Sequence, residues 1–194
     1  MVIGIDASRA NEIEKTGTEW YAFYVIQELK KIIPPSIHAR LYTREALHDS
    51  LAKLPKNWSV TVLHWPPKIL WTQLRLSWEQ LIHPVDLLYI PTHTIPFIHP
   101  RRIVAVIHDV GFLRRNDLYD QRIRRVKNNF LHYVVNGFVR IATMGRCGAS
   151  EGDYQRFALA MTLRHATTIM TISKFSKDEI VKLCHIAPER IIVA

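Results

Sequence analysis

The chain has 194 residues, 48% apolar and 22% charged, which excludes a disordered polymer and leaves room for a sizeable core. Its net charge is +9, which favours anionic partners without saying which. No secretory signal pattern opens the sequence, and no run reaches the roughly 18 apolar residues of a spanning helix. The two cysteines, Cys147 and Cys184, lack paired-ligand spacing, so the expectation is a reduced, cytoplasmic protein.

"VIGIDAS" (2–8) is a short apolar run ending near a carboxylate and reads as a buried first strand. A loop containing Gly17 follows. Residues 18–32 then have helical apolar spacing, with Thr18 as a candidate cap and Pro34-Pro35 as the stop. Strands are expected at 37–43 and 58–65, with a short helix over 44–54 between them. Residues 68–82 read as a helix whose apolar stripe is Leu70, Leu74, Trp78 and Leu81. Two more strands follow, "DLLYI" (86–90) and "RIVAVIH" (102–108). The tail alternates again: helix 154–166, strand 167–173, a helix over 174–184 that Ser173 can cap, and a strand from 189.

Short, continuous apolar strands alternating with helices predict an α/β fold: a Rossmann-like, doubly wound, mostly parallel sheet with helices on both faces. In such sheets ligands bind at the carboxyl ends of the strands. The Ser8–Gly17 loop and His108-Asp109 both fall there, so the topology can bring them to one crevice. Residues 121–153 interrupt the alternation and read as a basic helical insertion in one domain spanning 1–194. Residues 101–150 hold ten Lys/Arg against three Asp, a local +7. That block is either a solvated surface or a peripheral contact with an anionic membrane.

The candidate site residues each carry a plain structural reading beside the functional one. Gly17 lets a phosphate or sugar approach a helix start, or simply makes a turn. His108 can donate to a substrate oxygen or act as acid or base, or it is a satisfied histidine beside a turn-capping Asp109. Ser173 and its neighbours could hold an anion, although capping alone explains Ser173. The nucleotide fingerprints GxGxxG and GxxxxGK[ST] are absent. His93 and His99 have no metal-ligand spacing, and no nucleic-acid module signature is present. No metal and no nucleic-acid partner are therefore expected. Trp65, Trp71 and Trp78 read as core or interface aromatics.

Four stretches in order, "IGIDAS" with its glycine loop, "PPKILWTQLRLSWEQL…VDLLYIPTHTIPF", "VAVIHDVGFLR" and "ATTIMTISKFSKDEIVKLCHIAPERIIVA", resemble the N-terminal domain of glycosyltransferase family 4, the retaining GT-B enzymes, in its mannosyltransferase-like members. The resemblance implies the acceptor-binding half of an enzyme that transfers a sugar from a nucleotide-sugar donor to a glycan or lipid-linked acceptor in cell-envelope synthesis. It implies His108 as the catalytic, sugar-contacting residue, and Gly17, Asp109 and Ser173 at the substrate. Transfer would be metal-independent, with the nucleotide-sugar as co-substrate and no other cofactor. The donor would be held mainly by a C-terminal domain that this chain lacks, supplied by a separate subunit or a longer parent. The glycine loop, "EKTGTEW", has fewer glycines than the family usually carries. The rival reading is a non-catalytic Rossmann-like subunit that recruits a partner at the membrane surface.

Overall fold

The computed structural model describes residues 1–65, 70–113 and 151–194. Seven strands form one all-parallel sheet: β1 (Val2–Asp6), β2 (His38–Thr43), β3 (Trp58–Val62), β4 (Leu87–Ile90), β5 (Ile103–Val106), β6 (Thr168–Thr171) and β7 (Ile191–Val193). Their order is β3-β2-β1-β4-β5-β6-β7. The chain winds outward from β1 to β3, returns to the other side of β1, and winds the opposite way through β7. The α/β doubly wound expectation is met, and the winding reverses between β1 and β4.

Successive residues of a strand face opposite sides, so each strand feeds two cores. Tyr89 and Val106 join Ile5, Leu41, Ala22 and Ile26 on the side covered by α1 (Gly17–Ile32). Leu88, Ile90, Ala105 and Ile107 join Trp71, Leu76, Leu159, Leu163 and Ile180 on the other. That second layer is built by α2 (Ser77–Ile82), α3 (Glu151–His165) and α4 (Lys174–Cys184). Among the described residues no helix is long and apolar enough to cross a membrane.

Three sequence expectations change, each for a local reason. The cap of α1 is Thr16 rather than Thr18: Glu19 reaches back so that the Thr16 N–H donates to it at 3.1 Å. A cap at Thr18 would put Tyr21, which has no carboxylate, at the same position. Residues 44–54 form only one 3-10 turn, Asp49–Ala52. The Asn11 amide takes the backbone groups a helix would use, donating to the Ala46 carbonyl at 2.9 Å and accepting the His48 N–H at 2.9 Å. Asp49 then adopts a left-handed φ of 49°.

The third change is in the predicted 68–82 helix. It begins with Leu70 in a left-handed conformation, runs one π-helical stretch over Trp71–Leu76, and only then becomes the α-helix α2. The wider π turn rotates the later residues relative to the earlier ones. Trp71 is buried, with its indole N–H donating to the Leu63 carbonyl at 2.9 Å. Leu76, Ser77 and Gln80 follow it inward, while Trp78 and Leu81, expected on the core stripe, face outward. The expected basic insertion at 121–153 lies outside the described residues up to 150, and α3 starts at Glu151.

Gly4 and Gly17 test this packing in opposite directions. A Cβ on Gly4 would lie 2.8 Å from Tyr42 and 3.0 Å from both Leu88 and Val85, whereas one on Gly17 would meet nothing within 4 Å. Gly4→Ala should cost about 1–3 kcal/mol in urea unfolding. Gly17→Ala, in the first turn of α1, should be neutral or stabilising by up to about 1 kcal/mol. The reverse ranking would contradict the close approach of β1 to β2 and β4.

Candidate functional site

The carboxyl ends of β1, β4, β5 and β6 bring the predicted residues to one edge. His108 lies two residues past β5, half-buried. Its Nε2 is 3.0 Å from the Pro91 carbonyl, just past β4. A carbonyl only accepts, so Nε2 carries a proton in this contact. With Nε2 engaged by Pro91, the ring nitrogen left for a ligand is Nδ1, which in the neutral imidazole can accept an O–H. The Tyr21 ring from the second turn of α1 meets the imidazole edge-on, with centroids 4.8 Å apart. That contact connects the helix begun by Gly17 to His108.

The main chain of His108 is held from the other side. The Ser173 hydroxyl accepts the Ser176 N–H at 3.1 Å, capping α4 as expected. Ser173 Oγ also donates to Ser176 Oγ at 3.0 Å, and Ser176 Oγ donates to the His108 carbonyl at 3.1 Å. Ser173 therefore acts on His108 through Ser176. Thr171 adds a hydroxyl to the Ile107 carbonyl at 2.7 Å. Asp109 is exposed and its Oδ1 accepts the Gly111 N–H at 2.9 Å, a local turn that fixes the chain leaving His108.

Gly17 stands at the start of α1, exposed, where a phosphate was an expected visitor. A protein carboxylate already sits there. Glu19 is buried, accepts both the Thr16 N–H and the Thr16 hydroxyl, and pairs with Arg9 at 3.4 Å. These partners hold its carboxyl below the usual range in spite of burial, so it stays ionised. A second negative charge at this helix start is disfavoured. Asp6, fully buried at the end of β1, accepts the Ser8 N–H at 2.9 Å. Burial raises its carboxyl above the ordinary value, against the pull of Ser8, Arg9 and Arg44.

Sequence reasoning did not single out His93 for this edge. It lies three residues past β4, with Nε2 bonded to Gln155 Oε1 of α3 and its ring stacked on Phe112, centroids 5.9 Å apart. The Thr162 hydroxyl donates to its carbonyl at 2.6 Å. Burial lowers its imidazole below the ordinary value, and His108 and Arg9 add to this against Gln155 and Asp109. The rule that pointed to His108, a polar residue just past a central strand, points equally to His93. His99 is separate: its ring meets His165, centroids 5.2 Å apart. Among the described residues no cluster of three or more His, Cys, Asp or Glu could hold a metal ion.

Beside this edge, past the ends of β1, β2 and β3, lies a cleft of about 850 Å³ lined by Ser8, Asn11, Glu12, Thr43, Arg44 and His64, among others. The Asn11 amide is spent on holding the loop at 46–48, and Arg44 pairs with Glu12 at 3.7 Å. The cleft and His108 lie on opposite sides of β1, joined by the Ser8-Arg9 turn. No protein-family model and no curated protein matches this chain.

The burial of His93 gives the fold a pH signature. An imidazole held low in the folded state favours folding above 6.5, and this stabilisation is lost as pH falls from 6.5 toward the folded value. His165, lowered by burial and by His99 and Arg164, acts in the same direction. Urea titrations should show wild type losing stability below pH 6.5 more steeply than His93→Gln. Parallel curves would contradict a neutral, buried His93.

Proposed function

We propose that this chain is the acceptor-side half of a retaining glycosyltransferase that moves a sugar from a nucleotide-sugar donor to a glycan or lipid-linked acceptor. The observation that carries the reading is the convergence of the four resembling stretches on His108. The helix begun by Gly17 meets the His108 ring through Tyr21, the Pro91 carbonyl past β4 meets its Nε2, and the Ser173–Ser176 cap holds its main-chain carbonyl, all at the carboxyl edge beside the reversal of winding. Sugars offer hydroxyl donors, and His108 offers a fixed Nδ1 acceptor. Asp109 and Ser173 serve as positioning residues, acting on the chain around His108.

The adjoining cleft past β1–β3 suits the acceptor, since its hydroxyl, amide and charged groups can pair with a polyol. The Glu19 carboxylate at the start of α1 disfavours a phosphate there, so in this reading the donor's phosphates are held by a donor-binding unit in the same or another chain. The same carboxylate supports the second reading, a non-catalytic binding subunit, because it takes the helix start away from phosphate.

Nucleotide-sugar turnover with the donor-binding half supplied in trans separates the two. His108→Ala should lower transfer by about 10²-fold or more while leaving the far-ultraviolet dichroism unchanged. Unchanged transfer in that variant, or none in the wild-type pair across a panel of donors, would overturn the enzyme reading.

A further inference from the structure

The π-helical turn that rotates α2 leaves a coherent apolar surface away from the candidate site. Trp78, Leu81 and Ile82 are 58%, 55% and 50% exposed. Ile98, 42% exposed, lies against the same helix, because its N–H and that of Phe97 both donate to Ser77 Oγ, at 3.2 and 2.8 Å. Four large apolar groups on one helix and its adjoining loop form a patch rather than a scatter.

The charge around this patch is one-sided. Arg101 and Arg102 are exposed, three and four residues beyond Ile98, at the amino end of β5. The Arg102 carbonyl accepts the Leu88 N–H at 2.9 Å, which places these arginines beside the chain leaving α2 for β4. Arg164 is exposed next to His165, whose ring meets His99. None of the three forms an ion pair among the described residues. The nearby carboxylates are engaged: Glu79 by Arg75 at 3.4 Å and His83 at 3.1 Å, and Asp86 by the Val2 N–H at 2.6 Å.

We infer that the outer face of α2, with Ile98 and the arginines at the amino end of β5, docks on an anionic lipid bilayer. Trp, Leu and Ile at the headgroup boundary with arginines beside them are what peripheral binding requires, and the net charge of +9 adds long-range attraction. An acidic protein partner would meet the arginines equally, but the patch carries only one side-chain polar atom, the Trp78 indole N–H, and an amphipathic indole flanked by Leu and Ile suits the headgroup–acyl boundary of a bilayer. Arg101 and Arg102 belong to the basic block 101–150 for which the sequence offers membrane contact, whereas the apolar part of this surface, Trp78, Leu81, Ile82 and Ile98, lies outside that block. Docking here leaves the carboxyl edge, with His108, open to ligands.

Sedimentation with phosphatidylglycerol–phosphatidylcholine vesicles and with pure phosphatidylcholine vesicles tests the assignment. Wild type should bind the anionic vesicles and leave the neutral ones largely unbound. Leu81→Ser/Ile82→Ser, at exposed positions, should bind roughly tenfold more weakly with unchanged circular dichroism. Arg101→Glu/Arg102→Glu should weaken binding by a similar factor and flatten its salt dependence. Absence of wild-type binding, or wild-type affinity in either double variant, would overturn it. So would a concentration-dependent dimer that the Leu81/Ile82 change abolishes, since the patch would then belong to a second copy.

Discussion

An all-parallel sheet forces every strand to be entered from the same end, so every strand-to-helix connection leaves from one edge. That constraint does the most to shape this molecule. It collects Ser8, Arg44, His64, His93, His108 and Ser173 from six separate stretches of chain. The reversal of winding between β1 and β4 then separates the connections on either side and leaves space at that edge. No residue needs to be placed individually for polar groups to converge there.

Convergence alone would leave mobile side chains, and the hydrogen bonds add fixed geometry. His108 is held at three points belonging to three other elements: its ring nitrogen by Pro91, its ring edge by Tyr21, and its carbonyl by Ser176. Each anchor is individually modest, but together they select one tautomer and one orientation. His93 is treated similarly by Gln155, Phe112 and Thr162. The edge therefore carries two oriented imidazoles, and an acidic helix start beside them. The ionised Glu19 carboxylate disfavours a phosphate at the start of α1.

Much of this was legible in the sequence, because short apolar runs separated by helical spacing specify the sheet and its carboxyl edge. His108, Asp109 and Ser173 were found as strand-end and cap residues. What failed was any inference that depended on a neighbour distant in sequence. The helix expected at 44–54 gave way because Asn11 bonds its backbone. The stripe through Trp78 and Leu81 pointed outward because a π turn shifted the phase, which helical periodicity cannot anticipate. The spacing of His93 to His99 speaks only against a metal pair, although the position of His93 past β4 matches that of His108 past β5. The Thr16 cap was recoverable from Glu19 three residues on.

In the proposed function one oriented acceptor, His108 Nδ1, receives a sugar hydroxyl at the carboxyl edge. Long-range proton–nitrogen spectra of the histidine rings, recorded with the donor-binding half supplied in trans while GDP-mannose, UDP-glucose and UDP-N-acetylglucosamine are added in turn, read this out. The free chain should show an Nε2-protonated His108. At least one of these sugars should move the Nδ1 resonance of His108 while those of His99 and His165, on the far edge, stay still. An Nδ1-protonated His108, or shifts confined to His99 and His165, would contradict it.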